Sequence, residues 1–220
     1  MRKSLIFILC CGVFLFCNMK ETYAIPVIGN FSGSFYQAVG AGDFMNEIKV
    51  GNRFFGVFTY DTEVSIVYEE GPRVIYDGSD FKIWLTVVGE HEIFHLYDTR
   101  SGGIGIDNNN PNGDLFAIPW ILNWQGDIAG LTPTEAFIEL SDSTGTVFHD
   151  TSLPTTLNLR DFDGGYFQIF SDDIPPTTFE LFGSFDTFSM RPVPEPATML
   201  LLGSGLLGLV GYGRKRFFKK

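Results

Sequence analysis

Two short stretches of the chain carry residue types at spacings that chemistry can use. The first is His91-Glu92-Ile93-Phe94-His95, an HExxH run. On a helix this spacing sets two imidazoles on one face, about 6 Å apart, with Glu92 placed as the general base of a zinc hydrolase. On a strand the same two imidazoles lie ~13 Å apart, beyond the reach of one ion. Residues 81–89 read as a strand ending in a turn, and His149 is the only other histidine. The run is therefore expected on a strand with its imidazoles partly exposed, and a secreted zinc hydrolase is the minor alternative. The second stretch is Asp107-Asn108-Asn109-Asn110-Pro111-Asn112-Gly113-Asp114, a dense group of hard oxygen atoms of the kind calcium prefers. Asp107, Asn108, Asn110, Asn112 and Asp114 are the candidate ligands, yet the position where an EF-hand loop has its bidentate acid is Pro119. Asx turns form from the same residues without a metal. No cofactor is required on this reading, and calcium is the one candidate. Trp84, Trp120 and Trp124 are a third possibility, as sugar-stacking aromatics; at strand spacing Trp120 and Trp124 share a face, and the core is the reading that face favours. No serine lies in a GxSxG elbow, so no catalytic residue is assigned and the chain is read as a non-enzyme.

The elements that hold these residues read as strands. Apolar runs at 31–35, 54–60, 64–68, 81–88, 92–97, 115–124, 136–140, 157–159, 166–170 and 179–188 are separated by Gly, Asp, Asn and Pro turn chemistry. Several alternate with period two, for example Phe54, Gly56, Phe58 and Tyr60 on one side. Nowhere do apolar residues recur at helical spacing over three turns. The expected fold is all-β, an antiparallel β-sandwich of jelly-roll or lectin-like type.

The two ends differ from this interior. Met1-Arg2-Lys3, an apolar stretch from Leu5 to Cys17 and small residues at Thr22 and Ala24 make a secretory signal peptide, 1–24, with cleavage after Ala24. All three cysteines lie within it, so the exported part has no disulfide. At the other end Ala197 to Gly213 carries no charge and is followed by Arg214-Lys215-Arg216 and Lys219-Lys220. Seventeen helical residues span ~25 Å, enough for a short transmembrane helix with snorkelling basic ends, which keeps the last residues in the cytoplasm. Between the ends lies an exported domain, 25–190. From Ile25 to Val193 the chain has 24 acidic and 7 basic residues, a net charge of −17. Such a surface repels phosphate backbones, so nucleic acid is excluded as a partner.

Val193-Pro194-Glu195-Pro196, the short Gly-rich span and the basic tail, together residues 191–220, closely resemble the PEP-CTERM sorting signal of Gram-negative bacteria. The resemblance implies export through a translocon and signal peptidase and transient single-pass residence in the inner membrane. It then implies cutting near Pro194 by a membrane-embedded exosortase. The released protein goes to the cell surface or extracellular matrix, where exopolysaccharide is the implied partner. A carbohydrate-binding or adhesion module, with calcium as a bridge, is the alternative role. Phe55-Gly56-Val57-Phe58-Thr59-Tyr60-Asp61 is similar to a strand-and-turn segment in the exported domains of that family.

Overall fold

The computed structural model describes residues 24–40, 42–110, 112–171 and 178–194, together with Ser204. The signal-peptide residues before Ala24 and the sorting-tail residues Glu195, Pro196, Arg214, Lys215 and Arg216 lie outside the described residues.

Among the described residues, twelve strands form one continuous antiparallel ladder. They are β1 (Pro26–Gly40), β2 (Arg53–Asp61), β3 (Ile66–Glu70), β4 (Arg73–Tyr76), β5 (Lys82–Val88), β6 (Ile93–Asp98), β7 (Ile104–Asn110), β8 (Gly113–Ile121), β9 (Glu135–Asp142), β10 (Leu157–Asn158), β11 (Gly164–Ser171) and β12 (Phe179–Pro192). The spatial order is β3-β4-β7-β8-β9-β11-β12-β1-β2-β5-β6, with β10 added beside β12. One helical turn, α1 (Phe44–Glu47), links β1 to β2 and buries Phe44. The all-β antiparallel class read from the sequence is the class observed. Two strands have no counterpart among the sequence-derived runs, β4 and β7. β4 is only four residues long, and β7 has no aromatic residue and ends in the Asn-rich stretch whose composition signals a turn.

The ladder rolls over its own apolar face. Phe54 of β2 and Phe167 of β11 have ring centroids 4.9 Å apart although β1 and β12 lie between their strands. Phe116 of β8 likewise reaches Phe188 of β12, at 6.1 Å. Only a folded sheet brings such rings together, and the layers share one core of Phe31, Phe35, Phe54, Phe58, Phe116 and Phe167 among its largest side chains. The free end of β6 closes onto the segment after β8, where Tyr97 and Gln125 exchange backbone hydrogen bonds of 3.0 and 2.7 Å.

Period-two alternation produces this core directly. In β1 Val27, Gly29, Phe31, Gly33 and Phe35 face inward, and in β2 Phe54, Gly56, Phe58 and Tyr60 do the same. The glycines leave room for rings from the adjacent strand. A Cβ on Gly29 would stand 2.1 Å from the Phe58 ring, and one on Gly56 would stand 2.0 Å from the Phe31 ring. Each ring thus lies over bare backbone of its neighbour, which lets large aromatic groups pack at native density in a thin core.

Candidate functional site

The sorting signal leaves the domain at a defined place. β12 runs to Pro192, paired with Val27, and the Val193 amide donates to the Pro26 carbonyl at 2.8 Å. β1 begins two residues after Ala24. Ala24 and Pro194 therefore flank the ends of adjacent antiparallel strands at one pole. Two residues separate the end of β12 from Glu195. Among the described residues no helix is long and apolar enough to cross a membrane; the stretch 197–213 lies outside them apart from Ser204.

The HExxH run does not lie on a helix. His91 sits in the turn before β6 and His95 within β6. The His91 Nδ1 is 3.1 Å from Glu47 Oε1, and its amide donates to Glu47 Oε2 at 3.1 Å. The His95 Nδ1 instead lies 3.1 Å from the Thr86 hydroxyl. The two imidazoles face different partners, His91 the helical turn α1 and His95 the neighbouring strand β5, so the run lacks the one-face helical spacing a zinc hydrolase uses.

The oxygen-rich stretch forms the end of the β7–β8 hairpin. Asp107, 3% exposed, accepts two parallel hydrogen bonds from Arg73, from Nε to Oδ1 and from Nη2 to Oδ2, both 2.8 Å. Asp114, 1% exposed, accepts the Asn109 amide on Oδ1 at 2.8 Å and the Phe148 amide on Oδ2 at 2.7 Å. That grip holds Asn109 in the left-handed region, φ 54°, a conformation asparagine tolerates. Asn108 accepts from the Asn109 side-chain amide at 3.0 Å. Asn112 is exposed at the hairpin tip, and the Asn110 side chain lies outside the described residues. A cavity of about 240 Å³ opens beside the hairpin, lined by Arg73, Asp107, Asn112, Glu139 and Ser141 among others. No cluster of three or more metal-ligating side chains occurs among the described residues.

Two further aspartates act in the same way and gave no sign in the chemistry-bearing motifs. Asp98, fully buried, accepts the Arg100 amide at 2.9 Å and the Asn123 amide at 2.7 Å. Asp142 gathers the amides and hydroxyls of Thr144 and Thr146. Those hydrogen bonds, the Thr144 hydroxyl foremost, hold its carboxyl down to about 2. The Asp142-Ser143-Thr144-Gly145-Thr146 sequence does carry a signal for this, since an Asp followed by Ser and Thr folds readily into Asx and hydroxyl turns.

Of the tryptophans, Trp124 lies in the core as its strand spacing suggested and Trp84 is exposed. Trp124 lies past the end of β8 and is buried at 7% exposure, its indole N–H without a partner among the described residues. The Trp120 side chain lies outside the described residues. Trp84 is 45% exposed on β5 and packs against Tyr97 of β6, ring centroids 5.1 Å apart and planes at 31°. The alternation of Lys82, Trp84 and Thr86 against buried Ile83, Leu85 and Val87 already puts this indole on the polar side of its strand.

Comparison with known proteins matches residues 192–216 to the PEP-CTERM protein-sorting motif. Comparison with curated proteins and with solved structures gives no match. The matched motif is consistent with an exosortase substrate, and it implies export and a membrane-anchored sorting signal with exosortase as the processing partner.

Proposed function

We propose that this chain is a non-enzymatic surface protein that works outside the cell in contact with exopolysaccharide. In this reading signal peptidase cuts after Ala24, the tail 197–213 holds the folded domain at the inner membrane, and exosortase frees it by cutting near Pro194. The observation that carries the sorting part is the motif at 192–216. The pole geometry supports it: the chain enters and leaves the domain on neighbouring strands, so one end of the fold faces the membrane and the outer faces of the sheet stand clear of it. The non-enzymatic part is supported by the way the buried aspartates are held in backbone hydrogen bonds, a structural use of carboxylates. Glycan contact is supported by the exposed Trp84–Tyr97 pair.

Intact-mass measurement in the native host tests the sorting. The released protein is expected to begin at Ile25 and to end close to Pro194, and Glu195→Ala is expected to leave the chain in the membrane fraction. Released protein that retains the basic tail would overturn the reading.

A further inference from the structure

The rolled ladder has two ends, and they are finished differently. At β6 the backbone of Tyr97 exchanges hydrogen bonds with Gln125, and the next residue, Gly126, passes so near that a Cβ on it would stand 2.5 Å from the His95 carbonyl oxygen. At the other end β3 pairs with β4 on one side, and among the described residues no backbone pairs with its other side. About half of the N–H and C=O groups of an antiparallel strand point to each side, so the sheet ends at β3 in an open row of donors and acceptors. β3 is also the one strand of the twelve with every residue exposed, and its Ile66, Val67 and Tyr68 are 44–59% exposed. The charge along this edge has one sign. Residues 62–72 contain Glu63, Glu69 and Glu70 and no lysine or arginine. Glu70 accepts the Tyr68 hydroxyl, whereas the carboxylates of Glu63 and Glu69 make no hydrogen bond or ion pair among the described residues. Arg73, opposite Glu70 in the register, turns its guanidinium onto Asp107 instead.

We propose that the open edge of β3 binds an extended basic polypeptide segment, which adds to the sheet as a further strand beside Ile66–Glu70 and sets lysine or arginine side chains against Glu63 and Glu69. Each feature of the edge names part of this occupant. An open backbone row is continued by another backbone with the same ~3.3 Å repeat of amides, which a polypeptide has and a glycan or nucleic acid lacks. Carboxylates at both ends of the edge, Glu63 before it and Glu69 and Glu70 at its close, select cationic side chains. Between them Ile66, Val67 and Tyr68 offer apolar contact to the middle of the incoming strand. The same carboxylates disfavour a second copy of this chain, since self-pairing would bring like charges of two domains, each of net charge −17, to one seam. The register shift between Ile66 and Tyr68 adds to that protection. Charge and irregularity are the means by which an exposed edge avoids its own kind, and the charge becomes an attraction for a basic strand. This site is separate from the exopolysaccharide reading and from the sorting of the tail.

The test uses the full-length chain purified in a neutral detergent and synthetic seven-residue peptides, read by fluorescence anisotropy and amide hydrogen exchange. A peptide of alternating lysine and valine is expected to bind, to slow exchange at residues 66–70 and to lose affinity as salt rises. A peptide of alternating glutamate and valine is expected to bind about tenfold more weakly or not at all. The lysine peptide N-methylated on one alternate set of amides is expected to lose binding, and the same peptide methylated on the other set to keep it within about twofold, because a docked strand turns only one side to β3. Glu63→Lys with Glu69→Lys is expected to weaken the lysine peptide about tenfold and to strengthen the glutamate peptide, at an unchanged melting temperature, the size expected when two exposed charge pairs are reversed. No binding of the lysine peptide, an equal response to both methylated peptides, or chitosan, a polycation without backbone amides, binding as tightly would each overturn the proposal. So would a dimer of the chain alone in which residues 66–70 are already protected.

Discussion

The rim at the β7–β8 and β9–β10 turns and the outer face of β5 and β6 are both polar, and they use polar atoms in opposite ways. At the rim Asp107, Asp114 and Asp142 turn their oxygens onto a guanidinium, backbone amides and hydroxyls of the same chain. On the face Trp84, Lys82 and Arg191 stand in solvent beside Asn30 and Thr86. A high density of ligand-type atoms therefore does not mark a site by itself. What matters is how much of their hydrogen-bonding and stacking capacity remains after folding, and the rim has little while the face has much.

The largest effect that sharpens this contrast is on stability. Asp114→Ala removes the acceptor for two amides, one of them the buried Phe148 N–H, and should cost about 3 kcal/mol, since bonds to a charged acceptor are worth ~1.5–3 each and the orphaned donors add desolvation. Urea denaturation measures it, and a loss below about 1 kcal/mol would mean the rim is not held as described. Asp142 gives a pH signature. Its carboxyl is depressed to about 2 in the folded chain against an ordinary value of 3.8. Its stabilisation is therefore complete above about pH 4 and is lost as pH falls toward 2. Melting temperature should drop across that window more steeply in the native chain than in Asp142→Asn, and parallel curves would remove Asp142 from the rim's supports.

Much of this organisation was legible in the sequence. Alternation of Phe54, Gly56 and Phe58, or of Ile83, Leu85 and Val87, names the buried side of a strand because the side-chain period is two. The same rule favours a strand over a helix for the HExxH run, and His95 does lie on β6 while His91 lies in the turn before it. It also carries the position of Trp84 on the polar side of β5. β4 and β7 were not legible, since their pairing with each other and with β3 and β8 depends on long-range register and not on their own composition. Nor was the use of Asp98, whose second amide comes from Asn123 across a contact that only the rolled sheet creates.

Smaller effects are expected on the exposed face, where stability and binding should separate. Lys82→Ser removes a side chain with no ion-pair partner among the described residues and should change stability by less than about 0.5 kcal/mol, as surface substitutions do. A thermal melt of Lys82→Ser against Asp114→Ala places the two regions on one scale. A comparable loss in both would show that the face is also a structural support, and the contrast would fail.

The smallest expected effect concerns calcium, and it bears on the rim alone. Extracellular calcium modules bind with dissociation constants near ~10⁻⁴–10⁻³ M, so about 5 mM calcium occupies such a site substantially. Calcium would have to draw Asp107 from Arg73 and Asp114 from two amides, and each exchange gives up a formed charge-assisted bond for one to the ion. The melting temperature should therefore move by less than ~1 °C between chelator and 5 mM calcium, whereas a site of that affinity, about 5- to 50-fold below 5 mM, would add roughly 1–2 kcal/mol and a few degrees. A shift of that larger size, lost in Asp114→Asn, would show that the hairpin aspartates exchange their protein partners for the ion, and the rim would then retain the binding capacity assigned above to the face.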